Sequence, residues 1–387
     1  MADSSASRGV AVAEGGFHIP SLDGIRAISF LIVFLGHAGL EKVVPGYFGL
    51  SLFFFLSGYL ITTLLRLEFE RTGGVSLKQF YLRRILRIFP PFYLVLAVAM
   101  LLTALGLTGG TLWPAAVAAQ CLHVTNYWIV EHGWWNGMAP GTWVYWSLAV
   151  EEHFYLLFPL LYLWLRRLEW PALRQAAFLA GICLLVLAWR FVLIDALGAH
   201  KERTYVASDT RVDSIIAGCI LAIWKNPVLD RDSVNDRRLL ALWLPLGTAS
   251  VLASLVVREF RFDQTLRYTL QSFGLVPFFV AAIRFHDRWP FTWLNLAPVR
   301  YLGVLTYSMY LMHTTTLWMF DRHVPLPQAV RGVLAFALLV GLGSIVYYVV
   351  EKPCARLRRR LSRYLESDRR VRPQVVAAAA GQPSGPT

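Results

Sequence analysis

The chain has 387 residues, of which 56% are hydrophobic, 14% aromatic and only 16% charged, against about 25% charged in a soluble domain. That composition excludes an ordinary soluble enzyme. The net charge of +13 does not indicate a nucleic-acid partner, because the basic residues stand in short runs between apolar spans rather than along one polar face.

Residues 1–20 are polar and small, with no cleavage signal after the first apolar stretch, and read as an N-terminal tail. A bilayer core of about 30 Å needs roughly 20 apolar residues per helix. By that rule the chain predicts ten spans: 22–40, 47–66, 88–108, 143–165, 175–196, 210–224, 239–257, 268–285, 300–320 and 332–351. The expected fold is therefore all-α and polytopic, with the membrane domain over 21–353 and a basic, then disordered, tail over 354–387. Segment 112–130 is apolar but broken by Pro114 and His123, and reads as an interfacial or partly inserted helix, the one place where a further span could stand. Lys and Arg cluster after the even-numbered spans, as in Arg66, Arg71, Lys78, Arg83, Arg84 and Arg87, while 109–142 holds none. The positive-inside rule then places both termini in the cytoplasm. The four cysteines show no C-x-x-C spacing, so neither a disulfide framework nor a metal site is expected.

Ionisable side chains inside membrane helices are expensive and functional by default. Span 1 reads LDGIRAISFLIVFLGHAGL. Arg26 and His37, eleven residues apart, share one helix face and lie roughly 16 Å apart along the axis. A neutral imidazole, buried in the outer half of the span, suits the acceptance of a hydroxyl proton near pH 7; the plain alternative for Arg26 is snorkelling to the headgroups. Span 3 opens with YLRRILRIFPPFY, where Arg84 and Arg87 at i and i+3 share a face. A guanidinium pair there suits phosphate groups such as those of coenzyme A, and positive-inside topology explains it equally well.

Span 4 begins GTWVYWSLAVEEHFYLLFPLL. Trp143, Ser147 and Glu151 follow at i, i+4 and i+8, a drift of only about 80° around the helix, whereas Glu152 and His153 point elsewhere. A carboxylate at the depth of His37 could orient the imidazole, as in triad-type sites. Arg190, mid-span, is expected to pair with Asp195 or a carboxylate on another helix, with a contact to the acceptor as a further role. Span 9, YLGVLTYSMYLMHTTTLW, brings His313 to the outer half as well. Arg211, Asp213 and Glu351 are weaker candidates of the same kind. The segment GYFGLSLFFFLSGYLIT reads as close helix packing.

Taken in order, LDGIRA with His37 beyond it, GLSLFFFLSGYLI, RRILRIFP, WSLAVEEHFYLLFP, YSMYLMH and the closing EKP resemble the acyltransferase 3 family of bacterial membrane O-acyltransferases, over residues 20 to 355. The resemblance is to stand-alone members, without a C-terminal hydrolase-like domain. One departure is that Gly49 is followed by Leu50 and Ser51 where the family carries an acidic residue. The resemblance implies about ten helices in the inner membrane and an acyl-coenzyme A donor, acetyl above all, entering from the cytoplasm. It also implies transfer to a hydroxyl, most often on a carbohydrate or glycolipid, with no permanently bound cofactor. It places the essential histidine at His37, its partner arginine at Arg26, the R-x-x-R pair at Arg84 and Arg87, and the span-4 glutamate at Glu151. Trp143, Ser147, His313 and Arg190 are then candidates for contact with the acceptor. A transporter or flippase for a lipid-linked sugar would also bury Arg, His and Glu, and is the alternative reading.

Overall fold

The computed structural model describes residues 11–13 and 16–362. Most of the expected N-terminal tail, and residues 363–387 of the C-terminal one, lie outside the described residues. Strands β1 (Ala11–Ala13) and β2 (Gly16–His18) pair antiparallel. Among the other described residues the regular structure is helical, as bilayer spans must be, because every backbone polar group there has to find its partner within the segment.

Helix α1 (Pro20–Leu35) starts on a proline, which a first helical turn tolerates, and passes into a π-helical turn, Gly36–Leu40, that carries His37. Helix α2 (Gly46–Thr72) stops at Gly73, whose φ of +71° a side chain would disfavour. Helix α3 (Leu77–Ala104) is capped by the Ser76 side chain, which accepts the Gln79 amide. Helices α4 (Pro114–Cys121) and α5 (Thr125–His132) have eight residues each, about 12 Å. That is too short to cross, so 112–130 adds no span, in line with the breaks at Pro114 and His123.

A 3-10 turn, Thr142–Tyr145, leads into α6 (Trp146–Arg167), then α7 (Ala172–Phe191), the short α8 (Lys201–Val206) and α9 (Ser208–Ile223). After them come α10 (Asp236–Arg238), α11 (Leu244–Val256), α12 (Phe260–Gln264), α13 (Leu266–Arg284), α14 (Ala297–His323) and α15 (Gln328–Val346).

Of the ten expected spans, eight fall on helical stretches long and apolar enough to cross a membrane: Ser21–Leu40, Gly46–Thr72, Leu77–Ala104, Thr142–Arg167, Ala172–Ala196, Asp236–Val256, Leu266–Arg284 and Gln328–Ser362. The chain is thus a multi-pass, all-α membrane protein. The other two expected spans form helices of a different character. Expected span 210–224 is α9, only 16 residues long, or about 24 Å. Expected span 300–320 falls in the 27-residue α14, long enough but loaded with buried Thr306, Ser308, His313, Thr314, Thr315 and Thr316. Both are wrapped by neighbours, α9 by α2, α7 and α13, and α14 by α1 and α15. Their polar side chains face protein rather than lipid, which is where a bilayer tolerates them.

Glycines set the closest crossings. A Cβ on Gly58 of α2 would lie 1.9 Å from the Ile215 carbonyl oxygen, and one on Gly218 of α9 would lie 2.0 Å from that of Phe55. Packing, the role read from the sequence for this stretch of α2, thus requires the bare backbone at Gly58. Alanine ordinarily favours a helix over glycine by about 1 kcal/mol, yet here the two helices would be forced apart, at about 1–3 kcal/mol. Gly218→Ala is therefore expected to lower the thermal unfolding midpoint in detergent. An unchanged or raised midpoint would show that the crossing is loose.

Candidate active site

Two cavities meet inside the helical bundle. The larger, about 450 Å³, is lined by Arg26, Arg84, Arg87 and Arg358, by Glu151, Glu152, Tyr155 and Glu351, and by Ser57 and Ser147. The smaller, about 190 Å³, is lined by His37, Glu41, Tyr47, Trp143, Trp146 and Tyr205 among others. Leu50 and Tyr310 belong to both walls. The partition between the cavities is therefore thin, and it is held by hydrogen bonds: the Tyr310 hydroxyl lies 2.6 Å from Ser147 Oγ and donates to the Val144 carbonyl at 3.2 Å.

The smaller cavity is built around an imidazole pair. His37 sits in the π-turn after α1, a helix distortion common at functional sites. Gly39, with φ +96°, turns the chain immediately after it. His37 Nδ1 lies 3.0 Å from His313 Nε2, although 276 residues separate them. The remaining nitrogen of His313, Nδ1, is 2.6 Å from the Tyr310 carbonyl oxygen. A carbonyl only accepts, so His313 Nδ1 carries the proton, and in the neutral ring its Nε2 carries a lone pair. His37 Nδ1–H must then donate to that lone pair. This chain of assignments leaves the lone pair of His37 on Nε2, the nitrogen free to take a proton. Trp143 holds the His37 ring edge-on at a centroid distance of 5.2 Å, and Phe30 does the same for His313 at 5.8 Å. His313 is fully buried, whereas His37 is exposed toward the smaller cavity rather than buried as the sequence led us to expect.

The expectation that Glu151 orients His37 is corrected. Glu151 Oε2 accepts from Tyr155 at 2.6 Å and Ser57 at 3.3 Å, and lines the larger cavity. The reason is axial: Trp143 and Glu151 are eight residues apart, about 12 Å along a helix. Only Trp143 reaches His37, Ser147 marks the partition, and Glu151 faces the arginines. The three residues thus share a stripe, as their spacing implies, but they serve different cavities. Glu152, read as pointing away, also lines the larger cavity.

Arg26, Arg84 and Arg87 converge on the larger cavity. Arg26 donates to Asp23 at 2.5 Å, and the Arg84 guanidinium stacks over the Tyr155 and Phe80 rings at 5.5 and 5.7 Å. Arg190 does not line either cavity. It is fully buried and donates to Asp213 of α9 at 2.7 Å and to the Thr210 carbonyl at 3.0 Å. Asp195, its other expected partner, pairs with Arg261 instead. Arg190 therefore ties helices together, and an acceptor contact by it has no support in its position. Glu351 accepts from Ser308 on the wall of the larger cavity.

Sequence reasoning passed over Ser57, Tyr155, Tyr310, Arg358, Glu41, Tyr47 and Tyr205. Three carried a positional signal: Glu41 stands four residues after His37, Tyr310 three before His313, and Tyr155 four after Glu151 on the same stripe. Among the described residues, no group of three or more His, Cys, Asp or Glu side chains gathers as a metal site.

The profile of the family described as "Acyltransferase domain" matches residues 19–350. The chain is similar to the peptidoglycan O-acetyltransferase OatA of Listeria monocytogenes serovar 1/2a, 28% identical over 357 residues, which are 87% of this chain and 56% of the relative. It is likewise similar to the O-acetyltransferase OatA of Staphylococcus aureus strain NCTC 8325, 28% identical over 351 residues, 87% of this chain and 57% of the relative. The chain thus spans little more than half the length of these relatives. No solved structure matches it. With the family profile covering nearly all of the membrane-embedded part, the chain belongs to the acyltransferase 3 family.

Proposed function

We propose that the protein is a membrane O-acyltransferase that moves an acyl group, acetyl above all, from acyl-coenzyme A to a hydroxyl of a carbohydrate-containing acceptor. The observation that carries this reading is the junction of two chemically distinct cavities. One is lined by four arginines, the other opens on an imidazole with a free lone pair, and Tyr310 and Leu50 stand between them. The names of the relatives, both O-acetyltransferases and one acting on peptidoglycan, support an acetyl group and a glycan acceptor.

The donor's phosphates dock on Arg84, Arg87 and Arg358, with Arg26 deeper, since guanidinium forks match phosphate oxygens. The pantetheine arm runs along the larger cavity toward Ser147 and Tyr310. The acceptor occupies the smaller cavity and presents its hydroxyl to His37 Nε2. His37 takes the hydroxyl proton as the oxygen attacks the thioester carbonyl. The carbon–sulfur bond breaks, and the thiolate leaves and recovers the proton as free coenzyme A. Throughout, His37 keeps its Nδ1–H on His313, whose lone pair stabilises the transient imidazolium through a charge-assisted hydrogen bond. Glu151, Ser57 and Tyr155 shape the donor cavity. Positive-inside topology orients the arginine end to the cytoplasm, and the protein resides in the bacterial inner membrane.

The arginines give the test. A charge-assisted hydrogen bond contributes about 1.5–3 kcal/mol, so Arg87→Met should raise KM for acyl-coenzyme A by roughly 10- to 100-fold, with a smaller change in kcat. Wild-type protein in nanodiscs should also gain thermal stability on adding acyl-coenzyme A, and the variant should lose most of that gain. An unchanged KM and an unchanged thermal shift would remove the donor from this cavity.

A further inference from the structure

We propose that the smaller cavity receives one uncharged pyranose unit, stacked on aromatic rings, with Glu41 accepting a sugar hydroxyl next to the one deprotonated by His37. Its place in catalysis rests on the acyl-transfer reading; the binding claim does not.

Size is the first argument. At about 190 Å³ the cavity falls below the roughly 300–1,000 Å³ of pockets for larger ligands, which suits a single ring rather than a disaccharide. Its wall is the second argument. Tyr47, Trp143, Tyr205 and Tyr310 line it, and the electron-rich face of an aromatic ring attracts the polarised C–H face of a sugar.

The polar groups decide against an acyl chain or another apolar occupant. A hydrocarbon would leave the His37 lone pair and the Glu41 carboxylate without partners, whereas the hydroxyls of a sugar offer a partner to each. Glu41 also sets the charge of the guest. It lies exposed on the cavity wall, directly after the π-turn that carries His37. A carboxylate there accepts from hydroxyls and repels a second carboxylate.

Arg267 stands nearest the wall, 4.8 Å over the Tyr47 ring, but it is paired with Asp263 and does not line the cavity; the other candidate for an opposite preference is Arg211. It is fully buried, and its guanidinium nitrogens have no hydrogen-bond partner among the described residues. However, it stacks on Tyr268 at 3.6 Å, lies 5.6 Å from the Tyr205 ring, and does not line the cavity. It therefore leaves the charge of Glu41 facing the guest unneutralised.

Saturation-transfer NMR on nanodisc-embedded protein tests this directly. The probes are the methyl glucoside, galactoside, mannoside and N-acetylglucosaminide, with the methyl glucuronide and galacturonide as charged counterparts. Wild type should saturate ring protons of at least one neutral glycoside and give a signal roughly tenfold weaker or less on its uronide, the size of one like-charge contact. The near-isosteric Glu41→Gln should admit the uronide and leave binding of the neutral glycoside largely in place. No saturation on any glycoside, equal saturation on neutral and charged forms, or an effect of Glu41→Gln on neither would overturn the proposal. A preference for the uronide would overturn it too and point to Arg211. Failure of the acyl-transfer reading would show separately, as absent histidine-dependent coenzyme A release, and would leave this binding result standing.

Discussion

Replacing His37 with alanine should slow acyl transfer by roughly 10²–10⁴-fold, the usual contribution of a positioned general base. The expectation follows from the hydrogen-bond chain rather than from the presence of a histidine. The Tyr310 carbonyl fixes the proton on His313 Nδ1, His313 Nε2 fixes the proton on His37 Nδ1, and His37 Nε2 is left as the base. Removing His313 should therefore act through His37. His313→Ala forfeits one hydrogen bond that becomes charge-assisted when the imidazolium forms, about 1.5–3 kcal/mol, or roughly 10- to 100-fold in kcat. Because the two residues act as a unit, the double variant should be no slower than His37→Ala alone. Single-turnover transfer rates of the three variants check this. Additive losses would show that His313 contributes independently, and a His313→Ala rate equal to wild type would remove it from the base.

The second large effect concerns stability. Asp213→Ala should destabilise the protein by about 3–5 kcal/mol, the cost of stranding a buried charge. Arg190 and Asp213 are both fully buried, 2.7 Å apart, and Asp213 also accepts from Thr269 at 2.9 Å and from the Ser214 amide at 2.9 Å. The network therefore ties α7, α9 and α13. Leaving Arg190 in place makes the loss worse, since its charge then has no counter-ion. Replacing both partners by apolar residues, Arg190→Met with Asp213→Leu, should recover most of the loss. Unfolding followed by circular dichroism in detergent distinguishes the cases. Equal stability of the single and double variants would mean that water or lipid headgroups reach the pair.

How much of this is legible in the sequence differs by feature, for physical reasons. Apolar length finds eight spans because lipid-facing surface must be apolar around the helix. It reads α9 and α14 less well because both are enclosed, and enclosed helices trade apolar length for buried threonines, serines and charges. Periodicity places Trp143, Ser147 and Glu151 on one stripe, and they do lie along the wall of the joined cavities. It gives each side chain a depth and a direction on its own helix, but not which neighbouring helix it faces. His37 and His313 are thus legible as residues of one membrane level, while their contact is not. The same gap explains the expectation for Glu151: eight residues put it on the right face and about 12 Å too deep. Arg190 is legible as needing a carboxylate, and the nearest one in sequence, Asp195, is not the one that the fold supplies. Tyr47 opens α2 within the stretch that reads as packing, and Glu41 lies in the turn before it, where only its distance of four residues from His37 marks it.

The most direct test of the central claim is transfer itself. Wild-type protein in nanodiscs would be given radiolabelled acetyl-coenzyme A and a mixture of neutral glycan acceptors, with free thiol and glycan-bound label followed together. If the proposed mechanism holds, coenzyme A release matches the appearance of alkali-labile label on a glycan, and both vanish in folded His37→Ala. No release with any acyl-coenzyme A from folded wild-type protein, or vectorial movement of a lipid-linked sugar without ester formation, would contradict it.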